Sequence, residues 1–267
     1  MNFQEKLRGS ETKNNSKLCV GLDIDPQKIP LILRKEKSPI LFFNKAIIDA
    51  TKDLVCAYKP NMAFYESLGV EGLALLKETL SYIPQNIPVI LDAKRGDIGN
   101  TAAMYAKAIF EDLKADATTL HPYMGYDSVQ PFLDYSDKMS FVLCVTSNKG
   151  SIDFQKQKVG DQYLYELVAT KCKEWNKSGN VGLVIGATNP EELKKVRELC
   201  PGMIFLVPGI GAQGGSLEDA VRYGLMYNSN IVINSSREIL YASSESDFAQ
   251  KARNKAQDVR DRINSLI

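Results

Sequence analysis

The chain has 267 residues, a hydrophobic fraction of 44% and a formal net charge of +1. That is enough chain and apolar content for one large α/β domain with a sizeable core. The near-zero charge excludes a general affinity for nucleic acid or a membrane surface, so attraction for an anionic ligand has to be local.

Short apolar, β-branched runs alternate with longer helix-like stretches. In chain order they predict strand over 18–24, helix 39–52, strand 55–60, helix 64–80, strand 89–93 and helix 100–113. Strand 117–121, helix 128–133, strand 141–146, helix 161–175, strand 181–186 and helix 190–199 follow. Strand 204–207, helix 217–223, strand 231–234 and helix 245–264 complete the series. Most strands are continuous apolar runs, as in parallel strands buried on both faces. Eight strand–helix units point to one (β/α)8 TIM-type barrel domain over 1–267. An open sheet of eight parallel strands is the alternative. The polar connection 148–160, with Lys149, Gly150, Ser151 and Gly160, reads equally as a lid or a surface excursion.

His121 is the only histidine, which excludes multi-histidine zinc sites and leaves proton chemistry to Lys, Asp or Glu. The five cysteines, Cys19, Cys56, Cys144, Cys172 and Cys200, show no metal or redox spacing and read as inert thiols of a reducing compartment. Residues 1–6 lack the apolar run of a signal peptide, and no window approaches a membrane-spanning length. A cytoplasmic protein is expected.

Barrels of this type place their sites at the C-terminal ends of the strands. Polar residues collect there: Asp23 and Asp25, then Lys59 and Asn61, then Asp92, Lys94, Arg95 and Asp97. His121 follows strand four, Thr146, Ser147 and Asn148 follow strand five, and Asn234, Ser235, Ser236 and Arg237 follow strand eight. Each taken singly reads as a cap or a solvated charge; together they mark one rim. The run from Pro208 to Gly215 after strand seven is glycine-rich, so its backbone N–H groups can cradle an anion, with Arg237 as a fixed cation nearby. That pairing points to a phosphorylated ligand.

In an extended strand Asp92 and Lys94 share a face, and Gly96 lets the chain turn before Asp97. An ammonium flanked by carboxylates suits a general acid or an electrostatic stabiliser better than a Schiff-base nucleophile. Lys59 extends this into an alternating network of charges.

The run Asp92-Ala93-Lys94-Arg95-Gly96-Asp97-Ile98-Gly99-Asn100-Thr101 resembles the signature of the orotidine 5'-phosphate decarboxylase family. Val20-Gly21-Leu22-Asp23, Lys59-Pro60-Asn61 and the Pro208 to Gly215 run agree with it. Thr119 to Gly125 is similar to the longer-chain subgroup, from which Ile24 departs where proline is expected. The resemblance implies decarboxylation of orotidine 5'-monophosphate to uridine 5'-monophosphate in de novo pyrimidine biosynthesis, with no metal and no organic cofactor. It implies Lys94 as proton donor to C6, Asp92 against the substrate carboxylate, and Lys59 and Asp23 on the ribose. Ser147 and Pro208 would face the pyrimidine, and Gln213 and Arg237 would hold the phosphate. Asp97, Ile98 and Thr101 would reach into the site of a partner subunit, making a homodimer with shared active sites. Two rivals are a magnesium-dependent decarboxylase of a 3-keto sugar-acid phosphate, which shares the Asp-x-Lys-x-x-Asp pattern, and a barrel that only binds nucleotide.

Overall fold

The fold was derived as a computed structural model, which describes residues 1–210 and 214–267. Eight parallel strands form the barrel: β1 Leu18–Gly21, β2 Ala57–Lys59, β3 Ile90–Arg95, β4 Ala117–Leu120, β5 Met139–Val145, β6 Val181–Ile185, β7 Phe205–Pro208 and β8 Ile231–Ser235. Pairing runs β2-β1-β8-β7-β6-β5-β4-β3. Parallel bridges Tyr58–Val89 and Asn61–Asp92 join β2 to β3, so the sheet closes and the open-sheet alternative falls.

Helices follow the strands and cover the barrel. Pro39–Thr51 and Pro190–Leu199 each begin with proline, whose fixed φ and missing N–H suit a first helical turn. The expected helix 64–80 is two, Met62–Glu66 and Gly69–Tyr82, because Gly69 turns into the left-handed region at φ 67. The expected helix 100–113 becomes α-helix Gly99–Lys107 running into a π-helical turn, Ala108–Asp112. Connection 148–160 carries a 3₁₀ turn, Lys149–Asp153, and enters an antiparallel ribbon pairing Lys158–Val159 with Gln162–Tyr163.

The short turns Leu31–Lys35 and Arg237–Leu240 were not expected, and the longest element not foreseen is the N-terminal helix Phe3–Asn14. Its capping box is reciprocal: the Glu5 N–H donates to Asn2 Oδ1 and the Asn2 N–H donates to Glu5 Oε2, both at 2.9 Å. Phe3 and Leu7 belong to the apolar cluster inside the barrel, and the Phe3 ring meets Phe141 edge-on at 5.8 Å. The helix is pinned below the strands by the Ser10 hydroxyl donating to Cys56 O at 2.6 Å and Asn14 donating to Val55 O at 2.7 Å.

Two apolar layers result. The larger lies between strands and helices; the smaller fills the barrel with Cys19, Ala57, Ile90, Ala117, Phe141, Leu206 and Val232. Phe141 is wide enough that a Cβ on the facing Gly182 would lie 2.6 Å from its ring, so only glycine fits there.

Candidate active site

Period-two alternation lifts each strand's inner face from that apolar filling into a polar storey above it. Ala57 is followed two residues on by Lys59, Ile90 by Asp92, Ala117 by Thr119 and Val232 by Asn234. The lower member of each pair lies in the inner cluster and the upper lines a cavity of about 570 Å³ at the C-terminal ends of the strands. Asp23, Asn61, Lys94, Ser147, Pro208 and Arg237 also line it.

A buried carboxylate organises the cavity. Asp92 Oδ2 accepts from the Lys59 ammonium at 2.9 Å, and Oδ1 accepts from Lys94 at 2.6 Å and from the Thr119 hydroxyl at 2.8 Å. Burial alone would raise the Asp92 carboxyl, but the Lys59 and Lys94 charges outweigh it and hold the group well below the usual carboxylate range. Burial likewise works against the Lys59 ammonium, and the charges of Asp23 and Asp92 more than reverse this, so Lys59 stays protonated. Two carboxylates and two ammoniums therefore balance inside a half-closed space.

Lys94 meets Asp92 by a route that alternation does not supply. The β3–β4 register slips between Leu91–Thr118 and Arg95–Leu120, so the strand bulges over the residues between. Lys94 stands in the left-handed region at φ 46, a conformation that stores about 1–3 kcal/mol for a non-glycine residue. Its N–H donates to Thr119 Oγ1 at 2.9 Å. The side chain of Lys94 is 43% exposed toward the mouth, against 4% for Lys59.

Among the described residues, four buried atoms of the cavity region have no hydrogen-bond partner: Asp23 Oδ1, Ser147 Oγ, Asn234 Oδ1 and Ser235 Oγ. Buried polar groups are rarely left this way, and a cluster of them marks a surface made for a polar ligand. Ser147 is set by close packing, since a Cβ on Gly186 would fall 2.3 Å from its Oγ.

At the opposite wall Pro208, Gly209 and Ile210 leave β7, with Gly209 at φ 97. The Gly215 N–H donates to Gly209 O at 3.1 Å, closing the stem of the glycine-rich loop. Gln213 lies outside the described residues. Arg237 is exposed on the cavity wall and has no carboxylate partner among the described residues. The region thus offers a free guanidinium and a tight backbone turn, which suits a dianion.

Asp97, Ile98 and Thr101 are not part of this cavity wall. Asp97 Oδ1 accepts from the Ile98 N–H at 2.8 Å, Ile98 is 50% exposed and Thr101 is exposed. His121 is likewise absent from the cavity wall; burial and then the Lys94 charge push its imidazole below the ordinary value. Sequence reasoning gave no role to Thr119, nor to Asn234, which it placed only among the polar residues of the rim. The period-two step from Ala117 and from Val232 was the available signal.

A charge-balanced cavity above the strands of a (β/α)8 barrel defines a barrel enzyme acting on a small anionic molecule. Residues 16–252 match the Orotidine 5'-phosphate decarboxylase / HUMPS family, and the chain belongs to that family. It is 52% identical over 266 residues to an orotidine 5'-phosphate decarboxylase of Christiangramia forsetii, covering 98% of each chain. The structure of Leishmania donovani OMP decarboxylase superposes with a TM-score of 0.88 at 44% identity, covering all of this chain and 98% of that one. Leishmania donovani UMP synthase superposes with a TM-score of 0.90 at 46% identity; all of this chain is covered, and it spans 56% of that one.

Proposed function

We propose that this carboxy-lyase converts orotidine 5'-monophosphate to uridine 5'-monophosphate, with Lys94 protonating C6. The observation that carries the reading is the Lys94 ammonium, facing the cavity and tethered at 2.6 Å to a carboxylate that stays ionised. Breaking the bond from C6 to the substrate carboxylate releases CO2 and leaves the electron pair on C6. A preorganised cation beside that carbon stabilises the pair, then forms the C–H bond by giving up a proton. Asp92 keeps both ammoniums in register and sets a negative charge against the substrate carboxylate. Asp23 and Lys59 take the ribose hydroxyls, Ser147 and Pro208 the pyrimidine, and Gln213 and Arg237 the phosphate. Phosphate binding far from C6 lowers the barrier by closing loops over the site.

The chain works as one catalytic domain of a homodimer with shared sites. Asp97, Ile98 and Thr101 lie outside their own cavity wall, as residues serving a neighbour's site would. Apolar Ile98, Met104 and Tyr123, exposed at 50%, 60% and 84% just beyond β3 and β4, are what a second copy would cover. The five free, buried cysteines agree with a reducing cytoplasm. Neither metal nor organic cofactor enters the scheme.

The test is the fall in absorbance as orotidine 5'-monophosphate is consumed by purified protein, with and without EDTA. Turnover indifferent to chelation is expected. No turnover sinks the reading, and turnover abolished by EDTA and restored by magnesium replaces it with the metal-dependent alternative.

A further inference from the structure

We infer that Thr119 is a positioning residue for the decarboxylation, its one hydroxyl fixing both the Asp92 carboxylate and the backbone of Lys94. The inference rests on the proposed roles of those two residues and goes beyond them. At the bulge in β3 the Lys94 N–H has left the regular ladder, and an unpaired amide there would have to find another acceptor. Thr119 Oγ1 is that acceptor, at 2.9 Å. With its lone pair so engaged, the hydroxyl turns its own hydrogen on Asp92 Oδ1, at 2.8 Å. That oxygen is the one that also receives the Lys94 ammonium, at 2.6 Å.

The three contacts form a small ring. Thr119 holds Lys94 at its backbone and holds the anchor of Lys94 at its side chain. Thr119 is itself 1% exposed and rigid at χ1 as a β-branched residue on β4, so it transmits the position of the strand to both partners. Without the hydroxyl, the left-handed φ of 46 at Lys94 loses the bond that offsets its strain. The Asp92 carboxylate would keep its two ionic partners but lose the neutral one that sets its rotation. The ammonium would then be present but loosely aimed, and catalysis is sensitive to such displacement.

The experiment compares wild type with Thr119→Val, which keeps shape and removes the hydroxyl, and Thr119→Ser, which keeps the hydroxyl. For Thr119→Val, kcat on orotidine 5'-monophosphate should fall about 10–100-fold, as for loss of a hydrogen bond to a charged group, with KM within about threefold. Thr119→Ser should restore kcat to within about fivefold of wild type. Wild-type kcat in the valine variant, equal damage in both variants, or a rise in KM alone would overturn the inference. Thr119→Ala takes the place of valine should that variant not fold. A crystal structure of the hydroxyl-free variant separates this inference from the decarboxylase reading. Unchanged Lys94 φ and an unchanged Lys94–Asp92 contact overturn Thr119 whatever the turnover, and their displacement supports it even if the substrate proves to be another. Wild type inert on orotidine 5'-monophosphate sinks the decarboxylase reading instead, and turnover surviving Lys94→Ala removes Lys94 from the mechanism while leaving the activity in place.

Discussion

Lys94 reaches Asp92 across only two residues of its own strand, and the 2.6 Å contact exists where that strand is irregular. The bulge tips the lysine into a left-handed backbone and aims its ammonium back at the carboxylate. The pair is thus built into one segment, while Lys59 on β2 braces the same carboxylate from the neighbouring strand.

Removing that ammonium should remove the chemistry and spare the fold. Lys94→Ala is expected to lower turnover at least 10²–10⁴-fold, the range for one positioned general acid. Circular dichroism should be unchanged, because the side chain is 43% exposed and anchors no core. A variant keeping more than a tenth of wild-type turnover would take Lys94 out of the mechanism.

Asp92 makes the stability depend on pH in one direction. Its carboxyl is held below its ordinary value in the fold, so the ionised form favours the native state. That contribution is complete above the unfolded value of about 4 and is lost as the pH falls below it. Denaturant midpoints of wild type should therefore drop below about pH 4, and those of Asp92→Asn should drop less steeply over the same window. At neutral pH Asp92→Asn should be less stable by about 3 kcal/mol, because the buried Lys59 loses one of its two anionic neighbours. Parallel pH curves for the two proteins would show that Asp92 is not the responsible group.

Arg237 offers a test of the phosphate end. Arg237→Ala should lower kcat/KM for orotidine 5'-monophosphate about 10–100-fold, as for loss of a charge-assisted hydrogen bond, and barely change the slow reaction of the nucleoside lacking phosphate. Equal losses on both substrates would assign Arg237 to holding the barrel instead.

Subunit mixing tests the shared site. Lys94→Ala and Asp97→Ala chains, each inactive alone, should regain about a quarter of wild-type activity after exchange. Half the dimers are then mixed, and one of the two sites in each is free of lesions. No recovery, with exchange verified by mass, would mean that each protomer serves itself.

The eight strands were legible because buried parallel strands write themselves as unbroken apolar runs, and the rim of charges followed from where those runs stop. The helix Phe3–Asn14 was not, because its only buried positions are Phe3, Leu7, Ser10 and Asn14 in an otherwise polar stretch. Asn2 and Glu5, spaced as a capping box, were the signal to use. The partnership of Asp92 with Lys94 was anticipated on alternation and is realised through a bulge, a feature fixed by tertiary pairing and invisible in local spacing. Thr119 was hidden for a related reason: it belongs to an ordinary strand run, and only the slipped register gives its hydroxyl two partners. Asp97, Ile98 and Thr101 were legible only through the motif they match, and in this chain they stand off the cavity wall.

The plug formed by Phe3, Leu7 and the apolar filling above them closes the lower end of the barrel. Among the described residues the cavity is therefore a vessel that opens away from this plug, at the C-terminal ends of the strands. In the proposed reaction, nucleotide entry, escape of CO2 and departure of product all use that opening, in sequence and never from opposite ends. In that scheme the reacting carbon is screened from beneath by the apolar plug, and the proton would come from the mouth side by way of Lys94. Any loop that narrows the doorway then governs admission, retention and release with the same movement.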